Sequence, residues 1–153
     1  MSKLILFTDI HITQSGKTII GIDPLERFEQ GLAHALDHHP DAKGIIISGD
    51  LVHRGSLQEY ERLKASLANC PLPVHLMLGN HDDRANFCTA FNPDTSDTHG
   101  FVQFRLDFGD HTILCLDTKD QDGPDPHSGY ICAKRLTWLD RQLKDARGQF
   151  VTV

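Results

Sequence analysis

The chain has 153 residues, 39% of them hydrophobic, with 15 basic against 21 acidic side chains and a formal net charge of −6. That length suits one domain, residues 1–153, with a core of useful size. The acidic balance excludes a general electrostatic grip on a nucleic-acid polymer or a membrane surface, while ten histidines raise metal chemistry as a candidate.

Residues 4–7 are a continuous apolar run, which predicts a strand covered on both faces. Asp9 and His11 follow it; in extended backbone they share a face and point into one pocket. Residues 13–21 read as a polar loop. Asp23 then reads as a helix N-cap, with Pro24 in the first turn and Glu26 closing a capping box. Leu25, Phe28, Leu32 and Leu36 fall on one face of that helix, and His34, His38 and His39 read as solvated surface histidines. Residues 44–48 form the second strand, closed by Gly49 and Asp50, whose carboxylate projects from the strand end. His53 and Arg54 read as exposed loop residues. Ser56 with Glu59 is a second capping box, opening a helix that buries Leu63 and Leu67. Pro71 and Pro73 stop it, and residues 74–78 form a third strand running into Gly79, Asn80, His81 and Asp82.

Beyond this point residues 83–91 read as a short helix and 92–100 as a surface loop. Residues 101–106 and 112–116 read as paired strands, with Gly109 and Asp110 as the turn between them. Residues 120–129, with Pro124 and Pro126, read as an irregular loop. Leu136, Leu139 and Leu143 mark an amphipathic helix on which Trp138 packs, and residues 149–153 open another strand. The β-α-β-α-β order up to residue 78 predicts a layered α/β fold. Cys70, Cys88, Cys115 and Cys132 form no CxxC pair, so reduced, mostly buried thiols are expected. The apolar run after Lys3 is too short for a secretory segment, and no stretch approaches membrane-spanning length; both point to a cytoplasmic protein.

Three apolar runs thus end in acid, imidazole or amide groups. In open α/β sheets, ligand sites form beyond the carboxyl ends of the strands, which is where Asp9, His11, Asp50, Asn80 and His81 fall. Oxygen and imidazole donors without thiolate suit divalent ions such as Mn, Fe, Zn or Co. Two such ions about 3.5 Å apart can hold a hydroxide and clamp a phosphoryl group for in-line attack. The plain alternative is a set of polar strand-end residues that satisfy one another by hydrogen bonds.

Asp9-x-His11, Gly49-Asp50 and Gly79-Asn80-His81-Asp82, in this order and each after an apolar run, resemble the calcineurin-like metallophosphoesterases. Gly49-Asp50-Leu51-Val52, Gly79 through Asp83, Leu116-Asp117-Thr118 and the helix carrying Leu136, Trp138 and Leu139 are most similar to the bacterial branch containing cyclic-nucleotide and glycerophosphodiester phosphodiesterases. The resemblance implies metal-dependent hydrolysis of a small phosphodiester of one of those two types by metal-bound hydroxide. It implies that Asp9 and His11 bind the first of two divalent metals, that Asp50 bridges both, and that Asn80 binds the second and touches the phosphate. His81 would contact the phosphoryl oxygens and protonate the leaving group, and Asp82 would orient local backbone or His81. The family completes its site with a later His and a Gly-His-x-His that these residues lack, so the second metal keeps only Asp50 and Asn80 here. The resemblance therefore implies the N-terminal part of a truncated domain, with the second half of its β-sandwich missing. A sheet edge is then open to pairing with another copy. The rival class is a non-catalytic metal- or phosphate-binding module.

Overall fold

Ile45, Ile46 and Ile47 lie at the centre of the first of two units, Met1–Asn92 and Pro93–Val153; the computed structural model describes residues 3–121, 125 and 127–153. They belong to β2 (Ile45–Ser48), flanked in parallel by β1 (Ile5–Phe7) and β3 (Val74–Met77), with Ile45 opposite both Ile5 and Val74. The three isoleucines are at most 7% exposed, so β2 is covered on both faces, each such side chain contributing roughly 1.5–3 kcal/mol of burial. β1 departs from expectation: Leu6 is 66% exposed, because β1 is an edge strand with one uncovered face.

Helices α1 (Pro24–His38), α2 (Leu57–Leu67) and α3 (Arg84–Phe91) alternate with these strands. α1 buries Phe28 and Leu32, and Phe28 meets Phe7 of β1 edge-on at 5.3 Å, which seats the helix on the sheet. The expected box at its start is one-sided. Asp23 accepts from the Leu25 amide, but its other oxygen is taken by Arg62 of α2 at 2.5 Å, while Glu26 is exposed. The Arg62 hydrogen bond holds the Asp23 carboxyl below its usual range. At the start of α2 the expected box is present, the Glu59 carboxylate accepting from the Ser56 amide. Tyr60 and Leu63 are fully buried, and Tyr60 packs edge-on against Phe87 of α3. His34 and His38 are exposed and stacked on each other, as surface histidines.

The second unit is built on a hairpin, β4 (Phe104–Phe108) and β5 (His111–Cys115), turned at Gly109 and Asp110 with Gly109 at φ +69°. Residues 101–103 do not pair as a strand. The Val102 amide instead donates to Asp117 and the Phe101 carbonyl accepts from Thr98, which fixes the backbone by side chains. α4 (Ala133–Asp145) leads to β6 (Phe150–Thr152), parallel to β5, so this unit has a three-stranded sheet of its own.

α4 buries a different face from the one its leucines mark. Leu136 and Leu143 are 50% and 41% exposed, whereas Trp138 and Arg135 are each 4% exposed. Arg135 is held there by the carbonyls of Asp117 and Lys119, by the fully buried Asp117 carboxylate at 3.7 Å, and by the face of Phe101 at 4.5 Å. All four cysteines are free; Cys115 is buried, while Cys70, Cys88 and Cys132 are half-buried, less hidden than expected. Part of the 120–129 loop lies outside the described residues. Among the described residues no helix is long and apolar enough to cross a membrane.

Candidate metal centre

Because β1, β2 and β3 run parallel, their carboxyl ends share one edge, and the loops that leave them carry Asp9 and His11, Asp50, and Asn80 and His81. The first two loops remain zipped together beyond the sheet. The His11 amide donates to the Asp50 carbonyl at 2.9 Å, Ile12 to Leu51 at 3.0 Å, and His53 to Ile12 at 2.9 Å.

The extended geometry expected for Asp9 and His11 is not what converges them. Asp9, His11 and Asp50 have φ of 54°, 45° and 44°, in the left-handed region that non-glycine residues rarely occupy. Each such residue costs roughly 1–3 kcal/mol, and strain of this kind gathers where a site must hold its shape. The strain turns side chains from two loops onto one point. His11 Nε2 lies 3.6 Å from Asp50 Oδ2 and 4.0 Å from Asp9 Oδ1. Asp9 is largely exposed, His11 half-buried and Asp50 buried.

The loop after β3 closes on Asp50. The His81 amide donates to Asp50 Oδ1 at 2.9 Å, and a Cβ on Gly79 would lie 2.2 Å from that same oxygen. Only glycine fits. Asn80 sits half-buried between these two contacts. Asp82 fastens the assembly from beneath: its carboxylate accepts from the amides of Gly79 (2.8 Å), Leu51 (3.1 Å) and Val52 (3.3 Å) and from the Tyr60 hydroxyl (3.0 Å). Burial raises the Asp82 carboxyl, and the four hydrogen bonds oppose that rise.

His81 Nδ1 lies 2.8 Å from the His53 carbonyl, which can only accept, so Nδ1 carries the proton and Nε2 is left to meet a ligand. His53, read from sequence as exposed, is half-buried. Its ring stacks on His81 at 5.5 Å and lies edge-on to His11 at 5.8 Å. Burial, then the His11 and His81 imidazoles, lower its pKa. Its signal in the sequence was its place three residues after Asp50, on the loop that Ile12 and Val52 bridge to the His11 loop.

Two donor groups result, Asp9–His11–Asp50 and His11–His53–His81, each with its ligand atoms within 4.8 Å of one another. His11 Nδ1 and His53 Nδ1 are buried and, among the described residues, without a hydrogen-bond partner, while the His11 nitrogen set against the two carboxylates is Nε2. Carboxylate oxygen with imidazole nitrogen fits a divalent first-row ion or zinc.

A family profile described as calcineurin-like phosphoesterase matches residues 2–150. A probable cyclic nucleotide phosphodiesterase of Rhodopseudomonas palustris is 38% identical over 144 residues, covering 94% of this chain and 52% of the relative. A 3′,5′-cyclic adenosine monophosphate phosphodiesterase of Pseudomonas aeruginosa is 26% identical over 98% of this chain and 53% of its own length. A glycerophosphodiester phosphodiesterase of Enterobacter lignolyticus is 29% identical over 74% of this chain and 40% of its own length. In fold, the chain is similar to purple acid phosphatase of yellow lupin (Lupinus luteus) seeds, with a TM-score of 0.55 at 12% identity over 94% of this chain and 28% of that one. The chain spans about half the length of the curated relatives it matches first. With the motif loops converging as they do and the match running nearly end to end, the chain belongs to the calcineurin-like phosphoesterase family.

Proposed function

We propose that this chain supplies much of a centre that hydrolyses small phosphodiesters, of the cyclic-nucleotide or glycerophosphodiester type, with two divalent cations. We also assign both units to one catalytic domain, and offer a second copy of the chain as a candidate partner at its open sheet edge. The observation that carries the reading is the Asp9–His11–Asp50 group, with donors within 4.8 Å of one another on left-handed backbone. The names of the relatives, cyclic-nucleotide and glycerophosphodiester phosphodiesterases, support the substrate class.

Bound cations would neutralise phosphoryl oxygens and activate water for attack on phosphorus. Asp9 and His11 would hold the first, Asp50 would serve both with its two oxygens, and the Asn80 amide oxygen would serve the second. His81 would act at the leaving side. His81 would enter this step as the imidazolium, with both ring nitrogens protonated: as the P–O ester bond breaks, the Nε2 proton would pass to the departing alkoxide, while Nδ1–H stays on the His53 carbonyl and fixes the now neutral ring. In the full-length protein, hydrolysis of bis-p-nitrophenyl phosphate should need added Mn and should fall roughly 10²–10⁴-fold in His81→Ala. Absence of metal-dependent hydrolysis would overturn the reading.

One observation favours the rival, a non-catalytic binding module: among the described residues, the two donor groups share His11 and so do not form two separate sets. Elemental analysis after dialysis against Mn separates the two. One ion per chain in an inactive full-length protein selects the module, and two selects the dinuclear enzyme.

A further inference from the structure

Beside the metal centre, within the same unit, lies a cavity of about 510 Å³ whose wall includes His53. That ring also stacks on His81 and faces His11, so it is the partition between the centre and the cavity. A phosphoryl group held at Asp50 and His81 would leave the rest of its molecule free to enter on the other side of this ring.

The chemistry of the wall selects what enters. Lys17 and Arg54 both line the cavity, and neither side chain is in a salt bridge among the described residues. The one carboxylate in the lining, Glu59, is already engaged: it accepts from the backbone amides of Arg54 and Ser56, both at 3.1 Å, at the positive end of α2. Its charge is offset where it stands, and the two cations face the space unpaired. The Thr13 hydroxyl is turned back onto the Lys17 carbonyl at 2.8 Å, which fixes the loop carrying that lysine. No Phe, Tyr or Trp is among the lining residues, so the cavity offers no broad aromatic platform, the usual means of holding a base.

We propose that this cavity is a second-phosphate pocket: of the two phosphodiester types it favours the glycerophosphodiester type over the cyclic-nucleotide type, in a substrate whose alcohol portion carries another phosphate, received by Lys17 and Arg54. A dianion matches two cations, and a guanidinium fork suits phosphate oxygens. The inference rests on reading the Asp9–His11–Asp50 group as the phosphoryl-binding centre, and its test separates the two.

Isothermal titration of the Mn-loaded full-length protein with inorganic phosphate probes the centre alone; ethylene glycol bisphosphate probes the centre and the cavity together. The bisphosphate should bind at least about tenfold more tightly. In a Lys17→Ala, Arg54→Ala double variant, altered only at exposed side chains, that preference should shrink to within about twofold while phosphate affinity stays unchanged. A bisphosphate that binds no more tightly than phosphate, or a preference that survives the double substitution, overturns the second-phosphate pocket and leaves the centre standing. Failure of phosphate itself to bind overturns the centre, and the pocket with it.

Discussion

At the scale of single residues, the centre depends on a side chain that is missing as much as on those that are present. Gly79 leaves room for the Asp50 carboxylate, and any Cβ there would meet Oδ1 at 2.2 Å. Gly79→Ala should therefore displace Asp50 and weaken Mn retention roughly 10–100-fold, read by titration calorimetry. Asp82 is needed for the fold rather than as a ligand. Asp82→Ala strands three amides and a hydroxyl and should cost roughly 2–4 kcal/mol in urea unfolding, while Tyr60→Phe, losing the donation to Asp82 and the acceptance from the Asp83 amide, should cost about 1–3 kcal/mol. The thiols offer a separate check. Burial pushes Cys115 up to about 11, whereas the Arg135 backbone amide at the start of α4 lowers Cys132. Iodoacetamide at neutral pH should label Cys132 first, with Cys115 reacting only as the protein unfolds, read by peptide mass spectrometry.

At the scale of elements, the β-α-β order of the first unit was legible because each apolar run is bounded by a cap, a proline or a glycine. α4 was not, and Arg135 shows why. A charged residue is assigned to solvent unless its partner is known, and its partner, Asp117, lies 18 positions away. Asp117→Ala would leave Arg135 buried without a counter-charge and should cost roughly 3–5 kcal/mol of stability; Arg135→Met on the same background should recover much of it. β3 carries a pH dependence of its own. Burial lowers the pKa of His75, so the unfolded chain takes up that proton before the folded one does. Its contribution to stability is present above its ordinary value of 6.5 and is lost as pH falls through its lower folded value. His75→Leu should flatten the fall in unfolding free energy between neutral pH and about pH 5, measured by urea titration at each pH.

At the scale of the whole molecule, the motifs indicated that Asp9, His11 and Asp50 meet, but not how, and not that His53 joins them. Asp9, His11 and Asp50 were legible as types at strand ends. Their left-handed backbone was not, since it follows from hydrogen bonds between loops some forty residues apart, such as His11 to Asp50. The inward turn of His53 belongs to the same pairing. The Asp82 fastening has one more consequence. It ties two strand-end loops to α2 through four hydrogen bonds, none of which involves a cation. The Asp9–His11–Asp50 group therefore stands ready-made, and uptake of a cation there would be a docking step with little folding to drive. Chelation should leave the far-ultraviolet circular dichroism unchanged. Added Mn should raise the melting temperature only as mass action prescribes, gaining about 2.7 kcal/mol at a hundredfold excess over Kd for one site. An ion arriving there would meet three donors already in place, and its exchange would be paced by loss of its own water shell.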